Sequence, residues 1–163
     1  LRHRRSVLTS SKRSYFMSLR EKMDITDQVW SELHLRAVNA MKQAYAPYSG
    51  YPVGAACLTR DGQYYSGCNV ENAAYGVGLC AECGMVSDMI KDGRSEIIAF
   101  AAVNGEELPV VPCGRCRQLL SEHMTSDAMV EIPAGILPFS SVMPFSFGKT
   151  DLNEVSTSTF QEQ

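Results

Sequence analysis

Hydrophobic residues recur at two different spacings along the chain, and these spacings predict alternating helices and strands. Over residues 26–45 they return every three or four positions, which is typical of an amphipathic helix, and Pro47 ends it. Residues 97–103 are almost entirely apolar, as expected of a strand buried on both faces. Asp61 and Gly62 lie between two shorter apolar runs and predict the turn of a β-hairpin. The predicted elements are, in chain order, helix 26–45, strands 53–59 and 64–68, helix 79–91, strand 97–103, helix 113–124 and strand 129–132.

This order of elements favours one α/β domain in which helices cover a mixed sheet in two or three layers. A chain of 163 residues, 45% hydrophobic and 20% charged, can bury a core without needing disulfides or metals to fold. We predict that the domain spans residues 25–152, between a basic, disordered arm at 1–24 and a polar tail at 153–163. No apolar run approaches the roughly 18 residues of a membrane span, so a membrane protein is not expected.

Charge is distributed unevenly between the arm and the rest of the chain. Residues 1–22 hold seven Lys or Arg and one Glu, a net charge of +6, whereas the remainder holds eight basic and seventeen acidic residues, a net charge of −9. An acidic domain repels polyanions, so we expect no nucleic acid partner and favour a small neutral substrate. The acid-poor, Arg- and Ser-rich arm also fits an organellar presequence, and its composition leaves this alternative open.

Four of the six cysteines fall in two C-x-x-C pairs, Cys80 with Cys83 and Cys113 with Cys116. We identify no signal peptide and expect a cytoplasmic protein, in which this spacing indicates metal ligation before disulfides. Both pairs lie at the beginnings of predicted helices, where the helix dipole stabilises thiolates. Several thiolates close together favour zinc.

The cysteines alone leave two kinds of zinc site open. If Cys80, Cys113 and Cys116 are the ligands, the fourth position is available to water, and Glu82 on the first turn after Cys80 can take that water's proton. If Cys83 is a ligand as well, the site is closed and only stabilises the fold. The spacing of the pairs does not decide between a catalytic and a structural site.

Several segments, taken together, resemble the small zinc-dependent cytidine deaminases. The similarity runs from about residue 27 to residue 152 in the order and spacing of that family. The segments are Tyr45-Ala46-Pro47-Tyr48-Ser49, Val53-Gly54-Ala55-Ala56, Gly67-Cys68-Asn69-Val70-Glu71-Asn72, Cys80-Ala81-Glu82, Pro112-Cys113-Gly114-Arg115-Cys116-Arg117-Gln118, and Phe147-Gly148 followed by Asp151-Leu152.

The resemblance implies an α/β fold, a three-layer α-β-α sandwich with a mixed five-stranded sheet. It also implies hydrolytic deamination of free cytidine and deoxycytidine to uridine and deoxyuridine with release of ammonia, a reaction of pyrimidine salvage. In that case Cys80, Cys113 and Cys116 hold one zinc ion, its hydroxide attacks C4 of the base, and Glu82 carries the protons. Deamination of a nucleoside antibiotic is an alternative that keeps the same chemistry.

The resemblance also implies which residues contact the substrate. The Ala81 backbone helps to hold the pyrimidine, and Asn69 and Glu71 match the contacts to the ribose hydroxyls, which select against a base without its sugar. Tyr51 occupies a position where the family usually has Phe, so an aromatic face is kept in the pocket.

The small single-domain members of this family are homotetramers, so the resemblance implies that assembly. Phe147 matches a residue that reaches the base from a neighbouring subunit, and Tyr75 matches another contact between subunits. The chain departs from many relatives in having Cys83 where they have Arg, which removes a positive charge beside the thiolates. Arg115, between the paired cysteines, is a candidate to replace that charge.

Overall fold

The computed structural model of the protein describes residues 25–153, so the predicted basic arm and most of the predicted tail lie outside the described residues. No helix within this range has the length and hydropathy that crossing a membrane requires. The elements are α1 (Asp27–Met41), β1 (Val53–Thr59), β2 (Tyr64–Cys68), α2 (Ala81–Lys91), β3 (Ile97–Asn104), α3 (Gly114–Ser121), β4 (Met124–Ile132), β5 (Gly135–Pro138) and α4 (Lys149–Asn153), with short 3-10 turns at Tyr75–Val77 and Phe139–Ser141.

The five strands form one mixed sheet in the order β2-β1-β3-β4-β5. Strand β1 pairs antiparallel with β2 and with β3, β3 pairs parallel with β4, and β5 returns antiparallel to β4. The central strands β1 and β3 are almost entirely buried, which explains why their sequences are apolar at successive rather than alternate positions.

Helices cover both faces of the sheet. Trp30 and Leu33 of α1 pack on one face, in a cluster that includes residues of β1, β3 and β4. Met85 and Met89 of α2 and Leu120 of α3 pack on the other face, around Phe100 of β3. The predicted α/β sandwich of three layers with a mixed five-stranded sheet is therefore confirmed.

Three predicted helix boundaries are wrong because backbone pairing overrides the local pattern. The predicted helix 26–45 ends at Met41, and Tyr45 forms a β-bridge with Val70 instead. The predicted helix 113–124 ends at Ser121, and Met124 begins β4 because it pairs with Ile97 of β3. The predicted helix 79–91 begins two residues later, because Leu79 exchanges backbone hydrogen bonds with Val70 at 2.9 Å in each direction.

Strand β5 is absent from the prediction by hydrophobic pattern, whose last element is the strand 129–132. Its four residues include Pro138 and are too few to show a period of two. Pairing with β4 holds this strand at the sheet edge, with Val130 opposite Leu137. The last strand therefore depends on a partner and not on its own sequence pattern.

Gly67 of β2 lets α2 lie directly on the sheet. A Cβ atom at this position would come 2.4 Å from the carbonyl oxygen of Ala81 and 2.5 Å from the amide nitrogen of Met85. Both are backbone atoms of α2, which cannot move aside without moving the helix. Gly67 therefore sets how closely the first turn of α2 approaches the sheet, and that turn carries Glu82 and follows Cys80.

We expect Gly67→Ala to lower the free energy of unfolding by about 1–3 kcal/mol, the usual scale of overpacking in a filled core. Gly84→Ala is the matched control, because its Cβ would lie 3.9 Å from Gly67 Cα, an ordinary contact, and alanine favours a helix. Urea unfolding of the two variants beside the wild type measures the difference. An unchanged midpoint for Gly67→Ala would contradict the close approach.

Candidate active site

Three cysteine sulfurs converge where α2 and α3 begin. Cys80 is the N-cap residue of α2, Cys113 is the N-cap residue of α3, and Cys116 lies in the first turn of α3. Their Sγ atoms all lie within 4.8 Å of one another, and those of Cys80 and Cys113 are 3.9 Å apart. The Cys80 side chain accepts no hydrogen bond from its helix, so its sulfur is not used for capping.

This cluster is suitable for one zinc ion. Sulfurs bound at about 2.3 Å to a tetrahedral zinc lie about 3.8 Å apart, close to the 3.9 Å between Cys80 and Cys113. Within residues 25–153, Cys83 does not belong to the group of sulfurs that could share an ion. The geometry therefore offers three sulfur ligands and not the closed four-cysteine site that the spacing left open.

Burial and neighbouring groups set the proton affinity of the three thiols. Burial raises the pKa of Cys116, and the adjacent Glu82 carboxylate raises it further. Burial also raises the pKa of Cys80 by more than a hydrogen bond from Cys116 lowers it. Burial acts in the same direction on Cys113, but hydrogen bonds from the Cys116 backbone and thiol and from Cys80 outweigh it and lower the pKa of Cys113. Coordination to zinc overrides these differences, because a thiol that binds the metal is deprotonated.

Glu82 is a buried carboxylate beside the sulfurs. It is the second residue of α2, and 4% of its surface is exposed. The Cys116 thiol donates a hydrogen bond to Glu82 Oε2 at 3.1 Å. The helix N-terminus stabilises negative charge at this position. A carboxylate that contacts the cluster without belonging to it can accept and return protons there.

A cavity of about 360 Å³ lies against the cluster. The structure brings most of the predicted site residues together around it, whereas Cys116 is buried next to Glu82 and is not part of the lining. The lining residues are Tyr51, Val53, Asn69, Val70, Glu71, Gly78, Leu79, Cys80, Ala81, Glu82, Val110, Val111, Pro112 and Cys113.

The apolar wall of this cavity was missed by the sequence analysis. Val110 and Val111 lie between β3 and α3, in a stretch that shows neither helical nor strand periodicity. Val53 and Pro112 belong to the family-like segments, but nothing in those segments marks them as lining residues. The only sequence signal for this wall was that Val110 and Val111 are apolar and lie close to Cys113 in the chain.

Asn69 and Glu71 hold the loop that precedes β1. Asn69 Oδ1 accepts a hydrogen bond from the Val53 amide at 2.8 Å, and its Nδ2 donates to the Tyr51 carbonyl at 3.0 Å. Glu71 accepts hydrogen bonds from the amides of Tyr48 and Ser49 and from the Ser49 hydroxyl. The Ser49 hydroxyl and the Tyr48 amide lower the pKa of Glu71, so its carboxylate stays ionised at neutral pH. These side chains therefore shape the mouth of the cavity as well as line it.

The structure does not place Tyr75 and Phe147 on the lining of this cavity. Tyr75 is 85% exposed and lines a second cavity of about 330 Å³, which shares Glu71 and Gly78 with the first. Phe147 is 60% exposed, and its carbonyl accepts a hydrogen bond from Gln118 Nε2 at 2.8 Å. Within one chain, these two aromatic side chains belong to the surface around the site.

The chain is similar to known proteins over the region that contains this site. Residues 28–132 match the family model described as the cytidine and deoxycytidylate deaminase zinc-binding region. The chain is 42% identical over 126 residues to a cytidine deaminase of Mycobacterium tuberculosis, covering 77% of this chain and 95% of that protein. It is 37% identical over 123 residues to a cytidine deaminase of Halalkalibacterium halodurans, covering 72% and 93%.

A solved structure is similar over the same region. The crystal structure of cytidine deaminase from Mycobacterium tuberculosis aligns with a TM-score of 0.71 at 41% identity, covering 76% of this chain and 98% of that one. The matched region contains the three-cysteine cluster, Glu82 and the cavity. The chain therefore belongs to the cytidine deaminase family.

Proposed function

We propose that the protein catalyses hydrolytic deamination of free cytidine and deoxycytidine to uridine and deoxyuridine, releasing ammonia. The observation that carries this proposal is the buried Glu82 carboxylate, which contacts Cys116 of the three-cysteine cluster and faces a cavity of about 360 Å³. The relatives named cytidine deaminase support the substrate class.

Glu82 is the proton carrier in this proposal. Cys80, Cys113 and Cys116 would hold zinc, which when bound would supply the Lewis acidity that makes water a nucleophile near neutral pH. Glu82 takes a proton from the attacking water and delivers it to ring N3, which makes C4 of the base more electrophilic. It then carries the second proton of the same water, from the new hydroxyl on C4, to the amino group, which leaves as ammonia. Each turnover consumes one water and returns Glu82 to its carboxylate form.

The cavity walls supply the substrate contacts. Leu79 and Val110 offer apolar surfaces to the faces of the base, and Tyr51 adds an aromatic one. Ala81 is the first residue of α2, where helix amide groups lack partners within the helix and can bind the base edge.

The ribose hydroxyls are proposed to bind Asn69 and Glu71. Both side chains already bond the loop before β1, but carboxylate and amide oxygens can accept more than one hydrogen bond. Because Glu71 remains ionised, its hydrogen bonds from sugar hydroxyls are charge-assisted and strong. A base without its sugar forfeits these hydrogen bonds, which selects nucleosides over free cytosine.

The wild-type protein loaded with zinc should convert cytidine and deoxycytidine, followed by the change in ultraviolet absorbance. Glu82→Gln should keep zinc and lose at least about 10²-fold in kcat, the usual scale of general acid–base catalysis. Metal analysis of the same preparation separates lost chemistry from lost zinc. A zinc-loaded wild type that leaves both nucleosides unchanged would overturn the proposed function, and full activity in Glu82→Gln would remove that residue from its role.

Cys83→Ala tests the three-ligand site directly. We expect this variant to keep both its zinc and its activity, because Cys83 does not belong to the group of neighbouring sulfurs. Cys113→Ala is the matched comparison and should lose zinc affinity, because it removes one of the grouped sulfurs. Zinc content by atomic absorption and the rate with cytidine measure both effects. Lost zinc in Cys83→Ala would show that this sulfur is a ligand.

We also propose that the catalytic domain is residues 25–152 and that the protein functions in the cytoplasm as a homotetramer. A reducing compartment keeps the six free cysteines able to act as thiolates. Tyr75 and Phe147 support the assembly, because large exposed apolar side chains beside a site are typical of interaction surfaces. In this assembly each of them contacts a neighbouring subunit near its substrate.

Phe147→Ala should raise KM for cytidine more than it lowers kcat, because the residue is proposed to contact the base from a neighbouring subunit. Leu35→Ala is the control, since Leu35 is a 54% exposed apolar residue of α1 on the opposite layer. Steady-state kinetics and sedimentation velocity give the two readouts. A monomeric wild type with full activity would contradict this part of the proposal.

A further inference from the structure

Arg115 lies between two of the proposed zinc ligands, Cys113 and Cys116, as the second residue of α3. Its side chain is exposed, and its Nη1 donates a hydrogen bond to the Gly78 carbonyl at 3.3 Å. Among the ion pairs of residues 25–153, none joins Arg115 to a carboxylate. In this part of the chain, the guanidinium therefore bonds the backbone of the segment that leads to Cys80.

A cation at this position is unfavourable for an isolated helix. The first turn of α3 contains Arg115 and Arg117 and no acidic residue. The N-terminus of a helix carries the positive end of its dipole, so a cation there is unfavourable. Nothing in the helix itself explains why this turn is basic.

Bound zinc would change the electrostatic surroundings of the Arg115 charge. Three thiolates and one divalent ion leave a net charge of −1, and the carboxylate of Glu82 adds another negative charge. Arg115 lies between two of these ligands in the chain, and its guanidinium bonds Gly78, two residues before the third, so its charge then acts on an anionic centre as well as on the helix dipole. Its charge is therefore more favourable when the site is loaded.

The partner of Arg115 belongs to the wall of the substrate cavity. Gly78 lines both cavities and lies two residues before Cys80. Its neighbour Leu79 exchanges two backbone hydrogen bonds with Val70, and Val70 lies between Asn69 and Glu71. The Arg115 side chain therefore links α3, where two of the proposed ligands lie, to the segment 78–80, which ends at the third. That segment is in turn paired with the segment 69–71, which carries the proposed ribose contacts.

We propose that Arg115 is a positioning residue for the zinc site. Its guanidinium holds residues 78–80 against the start of α3, and its charge offsets the negative charge of the loaded cluster. This inference rests on the zinc site of the proposed function, but it concerns the retention of the metal and not the chemistry on the nucleoside.

Zinc retention by the full-length holoenzyme tests this role. Purified Arg115→Gln, Arg115→Lys and wild type are challenged with a chromophoric chelator at low and high salt. Arg60→Gln is the control, because it removes one exposed Arg that pairs with Glu96 and Asp127, away from the cluster. We expect Arg115→Gln to lower zinc affinity about 10-fold, the lower end of the range for groups that support metal ligands from outside. The loss should shrink at high salt because ions screen exposed charges.

Arg115→Lys distinguishes this role from simple support of the fold. Lysine keeps the charge and can still donate to the Gly78 carbonyl, so it should recover most of the lost affinity, while Arg60→Gln should match the wild type. The inference is overturned if Arg115→Gln binds zinc as tightly as the wild type. It is also overturned if Arg115→Lys or Arg60→Gln loses as much zinc affinity as Arg115→Gln. Deamination of cytidine by wild type is measured separately, so a normal rate with no effect of Arg115 on zinc overturns this inference alone.

Discussion

The site depends on two helix N-termini that the sheet holds side by side. Each helix has a cysteine at its N-cap position. A side chain of Ser, Asp or Asn at an N-cap stabilises a helix by about 1 kcal/mol through a hydrogen bond to a free amide. Cys80 makes no such bond. Its sulfur instead lies 3.9 Å from that of Cys113, and the two form a ligand set with Cys116. A metal ion bound by these three sulfurs would therefore link the two helix starts.

The sheet makes this meeting possible. Helices α2 and α3 lie on the same face, on either side of β3 in the chain, and α3 is the connection between the parallel strands β3 and β4. Gly67 lets the first turn of α2 approach the sheet closely enough to bury Glu82. The carboxylate is thereby enclosed with the sulfurs, in surroundings that strengthen electrostatic interactions relative to water.

The three-cysteine site and the wall of the cavity are connected by backbone hydrogen bonds. Leu79 precedes Cys80 and pairs with Val70, which brings Asn69 and Glu71 to the same cavity as Cys113. Asn69 and Glu71 in turn bond the loop before β1. A substitution at either residue therefore changes the shape of the cavity mouth as well as any contact to a sugar, and its effect on turnover combines the two.

Local patterns in the sequence determined most of the elements and much of the chemistry. Strands 53–59 and 64–68 have the predicted bounds, because each is a continuous run flanked by a Gly-containing turn or a Pro. The cysteine pairs at predicted helix starts were enough to indicate zinc, because ligand type and helix position are both local properties. Tertiary structure decided what depends on partners distant in sequence. Strand β5, the end of α3 and the start of α2 follow from pairing with β4, β3 and Val70. The exclusion of Cys83 from the sulfur cluster and the wall formed by Val110 and Val111 follow from how helices pack on the sheet, which residue spacing does not encode.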